Sequence, residues 1–471
     1  MTVVTEYRSG LFYHTQVIFC TMDISKIQYS VGQILNYVPE ELLSQFAVDT
    51  KADYRIRVLQ GGIIFNLLLY MLLTETRFSQ RSVGNSLTDA SFQALFPKSA
   101  GHKTVNHSSV SRRINTMPVE FFQKSYDYLY QEVSYLYTPL ELVKFHVVAV
   151  DSTLVAQTCN HLEQGFHIGP DKTGKQAARR KYVKYTTGFD GLRVMGIDFH
   201  DDKEHQNEND SIPNLVRSMA KSDRLHKNFY IIDRGLTAEA EYRDLASDSI
   251  NFLVRVSDKR RTQVVDVLGD TEKEQVGLDK TVVRIIENDT VRLFSNAKSV
   301  PEDTVYRHVK AVVRKPIFDA FGNVIDYEEH IVNLISDVMD LEAFEMLEMY
   351  RQRWMIEVFF KFIKQNLDFS HLLSTKRNGL EVSMYMTMIA AMLILIYARK
   401  NGCGFRSGKQ WMKQDLSALI MAIGIIQNGG HPEDFMVKYQ VTLPDYLRKH
   451  LDGIGLSVDI YHKNSNLTLG A

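Results

Sequence analysis

The chain has 471 residues, of which 45% are hydrophobic and 24% are charged. These are ordinary proportions for a globular protein of about three domains, and they exclude intrinsic disorder, collagen and coiled-coil rods. Lys and Arg number 55 against 56 Asp and Glu, so the formal net charge is −1, which excludes a protein that coats nucleic acid with its whole surface.

Residues 1–140 have the periodicity of helices. Residues 63–73 are almost wholly apolar, which predicts a buried helix. Asn106 is a good N-cap and Pro118 a good stop for a short polar helix that carries Arg112 and Arg113. The pattern is typical of a helix-turn-helix, and equally of a solvated surface helix. We expect residues 1–140 to form a helical N-terminal DNA-binding region, with Arg112 and Arg113 contacting DNA.

Residues 141–257 change to an alternation of strands and helices. A buried strand ends at Asp151, two further strands and a helix follow, and a fourth strand ends at Asp233. Another helix and a fifth strand, residues 251–256, complete the segment. Three strands, helix, strand, helix, strand is the order of a ribonuclease-H-like α/β core. The sequence therefore predicts that residues 141–257 are the first part of such a catalytic core.

Residues 258–335 alternate apolar and polar side chains between turns, which predicts a β-rich insertion. Helical periodicity returns at about residue 340. We assign residues 336–400 to the second part of the core and residues 401–471 to a C-terminal helical region that is a candidate for dimerisation.

Neither cysteine chemistry nor a membrane segment is indicated. Cys20, Cys159 and Cys403 are far apart and form no CxxC pair, which argues against a disulfide framework and a structural zinc site. The N-terminus lacks the pattern of a signal peptide. The longest uncharged run has 17 residues, 382–398, fewer than the ~20 needed to span a bilayer, so we expect a buried helix. These features predict a cytoplasmic protein with no membrane partner.

Asp151 and Asp233 are candidate metal ligands. Metal-dependent phosphoryl transfer needs hard oxygen ligands around two Mg²⁺ ions about 3.5–4 Å apart. An Asp after a strand is more often a turn or helix cap. Two of them at the ends of strands in this order favour a shared metal site at one edge of the sheet.

A third candidate lies in the segment YRQRWMIEVFFKFIK. Tyr350, Arg353, Glu357 and Lys364 are spaced 3, 4 and 7 residues apart. On one continuous helix they fall within a ~60° arc, opposite an apolar face. Glu357 could complete the metal site, and Arg353 and Lys364 could hold phosphates. Tyr350 could donate to a phosphate or stack on a sugar. The alternative is an ordinary amphipathic helix with snorkelling cations.

The spacing Y-x2-R-x3-E-x6-K resembles the signature of the insertion sequence 4 family of bacterial DDE transposases. The segments VVAVDSTLV and IIDRGLT resemble the family's two Asp motifs. The resemblance covers about residues 60–400, and the 124 positions from Asp233 to Glu357 leave room for the family's β-rich insertion. It implies that Asp151, Asp233 and Glu357 bind two divalent ions, normally Mg²⁺, which Mn²⁺ can replace.

The resemblance also implies a reaction. The protein would bind the terminal inverted repeats of an insertion sequence as a homodimer, cleave the strand at each end and join the released 3′-OH to target DNA. Some relatives form a hairpin intermediate and stack a Trp of the insertion on a flipped base. Here only Trp354 and Trp411 occur, and neither lies in the insertion. Five aromatic side chains there could stack instead: Phe294, Tyr306, Phe318, Phe321 and Tyr327.

Two other readings remain open. One is a non-catalytic DNA-binding protein descended from a transposase, and an intact acidic trio weighs against it. The other is a ribonuclease-H-like nuclease that cuts without strand transfer, and the Tyr-Arg-Glu-Lys stripe weighs against it.

Basic residues cluster in a segment just after the first Asp strand, residues 172–184, which suits either a phosphate-contacting loop or a solvated one. Arg234, directly after Asp233, could contact a phosphate or pair with the carboxylates. The acidic run HDDKEHQNEND, residues 200–210, reads as a solvated loop rather than a metal site. The predicted DNA contacts here are Arg179, Arg180, Lys181, Lys184 and Arg234.

Overall fold

The computed structural model describes residues 27–456 apart from short gaps. The gaps are residues 100–103, 134–144, 156–161, 163–164, 167–180, 203–206, 224–226, 270–271, 278, 295–299, 320 and 370–372. The chain divides into two compact units. The first takes in the described residues of Met1–Arg113, Glu120–Leu129 and Ile389–Ala471, and the second those of Ile114–Val119 and Tyr130–Met388. The five-part division expected from the sequence stays a prediction.

The α-helices of the described residues are numbered here in chain order. They are α1 Val31–Leu35, α2 Glu40–Asp49, α3 Gly61–Thr74, α4 Gln80–Ser86, α5 Ala90–Leu95, α6 His107–Thr116, α7 Val119–Glu132, α8 Glu208–Ala220, α9 Glu239–Ser247, α10 Ala343–Gln352, α11 Trp354–Asn366, α12 Arg377–Lys400, α13 Phe405–Gln427, α14 Glu433–Tyr439 and α15 Asp445–Gly453.

The predicted apolar helices are present. Residues 63–73 lie in α3, whose side chains are nearly all buried because the segment is apolar on every side. Residues 382–398 lie in α12, which is long and apolar enough to cross a membrane, but 83% of its most apolar window is buried. That burial is typical of a core helix. Asn106 caps α6 as predicted, since its Oδ1 accepts a hydrogen bond from the Ser108 amide at 3.1 Å.

The second unit contains a ten-stranded mixed sheet. Its strands are β1 His146–Val155, β2 Val183–Phe189, β3 Val194–His200, β4 Asn228–Ile232, β5 Asn251–Arg255, β6 Thr262–Val267, β7 Glu274–Val276, β8 Val282–Phe294, β9 Pro301–Phe318 and β10 Val324–Ser336. The strand order is β3-β2-β1-β4-β5-β10-β9-β8-β6, with β7 beside β8. β1 is antiparallel to β2 and parallel to β4, and β4 is parallel to β5.

The predicted order of three strands, helix, strand, helix, strand is confirmed for β1 to β5 with α8 and α9. Residues 258–335 are β-rich, as predicted. They do not form a separate sheet, because β10 pairs with β5 and continues the central sheet. Such pairing between distant segments depends on tertiary contacts and has no local sequence signal.

The two faces of the sheet are covered by different helices. Val148 and Val150 of β1 pack with α8 and α9 in one core cluster. Phe229 and Ile231 of β4 pack with α10 on the other face. Because side chains alternate along a strand, Asp233 continues the face of Phe229 and Ile231, which is the α10 side.

Candidate active site

Asp151 and Asp233 are neighbours on adjacent parallel strands. Val150 of β1 is in register with Ile232, the last residue of β4, so Asp151 and Asp233 are the next residues along the two segments. The prediction that the first strand ends at Asp151 is wrong, because β1 continues to Val155. Parallel strands lie about 4.8 Å apart and side chains at matched positions share a face. The pairing of the strands therefore brings together two carboxylates that are 82 positions apart in the sequence.

The third carboxylate reaches the same place from the helical segment. The prediction of one continuous helix from Tyr350 to Lys364 is wrong in detail, because α10 ends at Gln352 and α11 begins at Trp354. At the junction the Arg353 amide donates to the Tyr350 carbonyl at 3.0 Å, three residues back instead of four. Arg353 keeps right-handed helical angles, so the polar stripe still faces one side.

Arg353 lies between the three acids. Its Nη1 is 3.8 Å from Asp151 Oδ2 and 3.8 Å from Asp233 Oδ2. Its Nη2 donates a hydrogen bond to Glu357 Oε1. The Arg353 side chain is only 13% exposed. One partly buried guanidinium is thus shared by all three carboxylates that the sequence singled out.

Tyr350 holds one member of the trio. Its hydroxyl donates to Asp233 Oδ1 at 2.8 Å. Burial and the neighbouring Asp233 charge raise the pKa of Tyr350 to about 12, so the phenol keeps its proton and stays a donor. This contact fixes the orientation of the Asp233 side chain.

The two aspartates have different proton affinities. Burial raises the pKa of Asp151 to about 6, although the Ser152 amide and Arg353 oppose the rise. Burial acts on Asp233 too, but the Arg353 guanidinium, the Arg234 amide and the Tyr350 hydroxyl together hold its pKa below the ordinary value. At neutral pH both groups are carboxylates, and Asp151 is the member that gains a proton first on acidification.

Lys364, the last residue of the stripe, lies on α11 about two turns after Glu357. Burial lowers the pKa of its ammonium group, and the charge of Asp151 opposes that lowering. The side chain is half-buried on α11. Of the predicted stripe, Tyr350 and Arg353 contact the aspartates, Glu357 is bonded to Arg353, and the charge of Asp151 acts on Lys364.

The donor set suits a hard divalent cation. Asp151, Asp233 and Glu357 offer only carboxylate oxygens, the ligands that Mg²⁺ and Mn²⁺ prefer. The three groups already converge on a common cation, the Arg353 guanidinium. These three side chains could hold divalent metal.

Another group in the described residues has ligand atoms within 4.8 Å of one another: Glu287, Asp289 and His308. His308 Nδ1 lies 2.6 Å from Asp289 Oδ1, and its Nε2 lies 2.8 Å from Asn333 Oδ1. Lys310 Nζ donates to Glu287 Oε1 at 2.8 Å. These contacts give the polar atoms of the group partners within the protein, so the group links β8, β9 and β10 as a hydrogen-bonded network.

The residues predicted to contact DNA differ in their exposure. Arg112 and Arg234 are exposed. Lys181 is half-buried and its Nζ donates to the Leu162 carbonyl at 2.7 Å. Arg179 and Arg180 lie outside the described residues.

Two of these predictions need correction. Arg113 is only 6% exposed, and its guanidinium donates to the carbonyls of Leu59 and Ala52, so it stabilises the helical unit instead of facing DNA. Lys184 is 2% exposed and donates to Ser211 Oγ at 2.7 Å. Sequence gives residue type and neighbours, but an inward-facing cation can be recognised only once its helix or strand is packed.

The prediction of a solvated loop at residues 200–210 is wrong at the end of this run. Its last residues begin helix α8, where the Asn207 side chain accepts from the Asn209 amide at 3.1 Å. Glu208 lies so close to the loop after Asp233 that a β-carbon on Gly235 would overlap its carboxylate. The charge of Glu208 contributes to the raised pKa of Asp151, after the larger effect of burial. An N-cap Asn followed by acids was the available signal for a helix start.

Comparison with known proteins finds a matching family. The model of the transposase DDE domain family matches residues 144–393. "Putative transposase y4zB" of Sinorhizobium fredii (strain NBRC 101917 / NGR234) is 26% identical over 180 residues, which are 36% of this chain and 43% of that protein. The chain thus spans less than half the length of the curated relative it matches.

A solved structure, "Cryo-EM structure of piggyBac transposase synaptic complex with hairpin DNA (SNHP)", aligns over 92% of this chain and 87% of its own, with a TM-score of 0.42 and 13% identity. The family match takes in more than half of the chain and includes every carboxylate that meets Arg353. On that match, the chain belongs to the transposase DDE domain family.

Proposed function

We propose that the protein is a DNA transposase of the insertion sequence 4 type, which binds terminal inverted repeats and moves an element by cutting and pasting. The convergence of Asp151, Asp233 and Glu357 on Arg353 is the observation that carries this proposal. The order of β1 to β5, with one antiparallel and one parallel half, supports a ribonuclease-H-like core. We further propose that it acts in the bacterial cytoplasm as a homodimer on paired DNA ends.

In this proposal Asp151, Asp233 and Glu357 hold two Mg²⁺ ions, for which Mn²⁺ can substitute. Such ions supply polarisation of a phosphate oxygen and charge stabilisation of the attacking and leaving oxygens. Tyr350 keeps the Asp233 carboxylate in its orientation through the hydrogen bond already described. The chain's own contribution is positioning and neutralisation of charge, because phosphoryl transfer of this kind needs no covalent enzyme intermediate.

The reaction consists of two successive displacements at phosphorus. A water oxygen first bonds to the phosphorus at the element end, and the 3′ oxygen leaves and takes up a proton. The new 3′-OH then attacks a phosphodiester of target DNA and loses its proton as a second 3′ oxygen leaves. The number of phosphodiester bonds is conserved in the second step, so no ATP is required.

Arg353 and Lys364 are proposed to contact the DNA phosphates on either side of the reacting bond. A guanidinium can bind two phosphate oxygens as a fork, whereas an ammonium group acts as a point charge. Arg353 lies beside Asp151, where the reacting phosphate would be held, and the charge of Asp151 also acts on Lys364. Arg112 and Arg234, together with Lys181, Arg179 and Arg180, are also proposed to contact DNA.

The aromatic side chains that could stack on a base differ in their exposure. Tyr306 is fully buried in the core cluster on the α8 side of the sheet. Phe321 is 90% exposed in the turn between β9 and β10, where it can reach a ligand. We propose Phe321 ahead of Tyr306 as a stacking side chain.

Glu357→Gln tests the proposed activity. Supercoiled donor DNA carrying the flanking inverted repeats is incubated with protein and Mg²⁺, and cut ends and joined products are separated on gels. We expect at least a hundredfold loss of both products, because the amide keeps the size of the side chain and removes the charged ligand. Glu348→Gln, an exposed acid on α10, is the matched control and should cleave like the wild type.

Each result selects among the functions considered. Equal cleavage by Glu357→Gln and wild-type protein would remove Glu357 from the site. Cleavage by the wild type without joined product would favour a nuclease. End binding without any cleavage would favour a non-catalytic DNA-binding protein.

A further inference from the structure

The first turn of α8 is bonded to the loop that follows Asp233. Asn209 Oδ1 accepts hydrogen bonds from the Thr237 amide at 2.7 Å and from the Ala238 amide at 3.0 Å. Asn209 Nδ2 lies 3.1 Å from Thr237 Oγ1, to which it donates. One side chain therefore holds two consecutive backbone amides between Asp233 and the start of α9.

Helix α8, which carries Asn209, is itself packed against the sheet. Leu215 and Met219 of α8 are buried in the same core cluster as Val148 and Val150 of β1. Lys184 of β2 donates to Ser211 Oγ in the first turns of α8. Because β1 also carries Asp151, α8 is held in place by the strand that presents the first carboxylate.

The loop has other support as well, since the Tyr242 hydroxyl donates to the Leu236 carbonyl and the Leu236 side chain is buried in the core cluster. Within residues 233–238, the Leu236 amide donates to the Asp233 carbonyl at 3.4 Å. Arg260 Nη1 reaches the Thr237 carbonyl only at 3.4 Å. Asn209 accepts from the Thr237 and Ala238 amides at shorter distances than Arg260 reaches the Thr237 carbonyl, and hydrogen bonds weaken with length.

We propose that Asn209 is a positioning residue for Asp233, which fixes the spacing of the Asp151 and Asp233 carboxylates by clamping the Asp233 loop to α8. This rests on the proposed function, since it assigns Asn209 to the same divalent-metal site. Groups that orient metal ligands typically change metal affinity or activity by 10–100-fold when they are removed.

Isothermal titration calorimetry of Mn²⁺ binding to the DNA-free protein tests the proposal without any strand cleavage. We expect Asn209→Ala to raise the Kd for Mn²⁺ at least tenfold. Asn209→Asp keeps an oxygen that accepts from both amides, and its added charge favours a cation, so it should bind Mn²⁺ as tightly as the wild type or more tightly. Thr237→Val removes only the hydroxyl contact and is the matched control, expected within about threefold of wild type.

Hydrogen exchange of the Thr237 and Ala238 amides is the second measurement. We expect both amides to exchange slowly in the wild type and at least tenfold faster in Asn209→Ala. An unchanged Kd for Mn²⁺ in folded Asn209→Ala would overturn the proposal, even if thermal stability fell. If that variant does not fold, the wild type decides, because rapid exchange at both amides would overturn the clamp and slow exchange would support it.

The two proposals fail separately. Wild-type protein that binds no Mn²⁺ would contradict the metal site of the proposed function. Wild-type protein that binds Mn²⁺ with an affinity that Asn209→Ala does not alter would contradict the role of Asn209 alone.

Discussion

Arg353 is the residue on which the site is organised. Three carboxylates would repel one another strongly at this separation, and the guanidinium between them offsets that repulsion. Burial lowers the pKa of Arg353, but the neighbouring Asp233 and Glu357 raise it by more, so the guanidinium remains charged. The same arrangement makes Arg353 a competitor of any cation that binds the three acids.

Arg353→Ala should therefore respond to metal more strongly than the wild type does. Without metal we expect the free energy of unfolding of the variant to be about 1–3 kcal/mol lower than that of the wild type. This value lies between those for exposed and buried ion pairs. Mg²⁺ should raise the melting temperature of the variant more than that of the wild type, because the ion replaces the lost charge without competition. Differential scanning fluorimetry with EDTA and with Mg²⁺ measures both effects.

The matched control is Arg351→Ala, which removes an exposed Arg that pairs with Glu348 on the same helix. It should show the wild-type response to Mg²⁺. Equal Mg²⁺ shifts in Arg353→Ala and the wild type would mean that Arg353 does not share its carboxylates with the bound ion.

At the scale of elements, the position of α8 is set by glycines in the strands beneath it. A β-carbon on Gly188 of β2 would lie 2.5 Å from Met219 Sδ. On Gly196 of β3 it would lie 2.8 Å from Met219 Cγ and 3.0 Å from Leu215 Cδ1. The missing side chains let α8 approach the sheet closely, which brings Asn209 to the Asp233 loop.

Gly196→Ala should lift α8 from the sheet and destabilise the protein by about 1–3 kcal/mol, as overpacking of a core usually does. Shortening Met219 should restore part of that loss, so Gly196→Ala and Met219→Ala should be coupled favourably in a double-mutant cycle of urea unfolding. Gly424→Ala on α13, where nothing lies within 4 Å of the added methyl, should be neutral or stabilising. Additive effects of Gly196→Ala and Met219→Ala would contradict the packing described.

At the scale of the whole molecule, the first unit is built from both ends of the chain. The Val31 amide donates to Asp415 Oδ2 at 2.6 Å, although the two residues are 384 positions apart. Lys409 donates to the Glu75 carbonyl at 2.9 Å in the same way. The second unit lies between these segments in the sequence, so the helical unit can be completed only after the C-terminal helices have been made.

Asp415 makes the stability of this unit depend on pH. Burial raises the pKa of Asp415 to about 7, against the hydrogen bonds from Val31 and Tyr397. Between about pH 4 and pH 7 the folded protein keeps a proton that the unfolded chain has released. The free energy of unfolding therefore falls as pH rises through this window, and the loss is complete above about pH 7.

Asp415→Asn should remove that dependence. We expect the free energy of unfolding of the wild type to fall by about 2–3 kcal/mol relative to the variant between pH 5 and pH 8, since one pKa unit is about 1.4 kcal/mol. Urea unfolding at both pH values measures the difference. Asp434→Asn, an exposed position on α14, should keep the wild-type slope, and a wild-type slope in Asp415→Asn would contradict the assignment.

The distribution of charge over the molecule also explains the near-zero net charge. A net charge of −1 hides opposite charges that are brought together locally. Arg353 neutralises acids of the site, Lys184 lies buried beside α8 and Arg113 is used within the helical unit. Arg112 and Arg234 are exposed.

The sequence by itself determined the strand and helix order of β1 to β5, the buried helices α3 and α12, and the residue types of the site. Periodicity and spacing are local properties, so Tyr350, Arg353, Glu357 and Lys364 could be placed on one side of a helical segment before any packing was known. Asp233 could be assigned to the end of a strand for the same reason, whereas the same assignment for Asp151 is wrong because β1 continues to Val155.

Only the tertiary structure decided which side chains meet. The pairing of β1 with β4, the docking of the α10–α11 segment, the inward turn of Arg113 and Lys184, and the clamp between Asn209 and the Asp233 loop all join residues distant in sequence. Such contacts follow from burial of apolar faces and from satisfaction of buried polar groups across the whole unit, which no local pattern encodes.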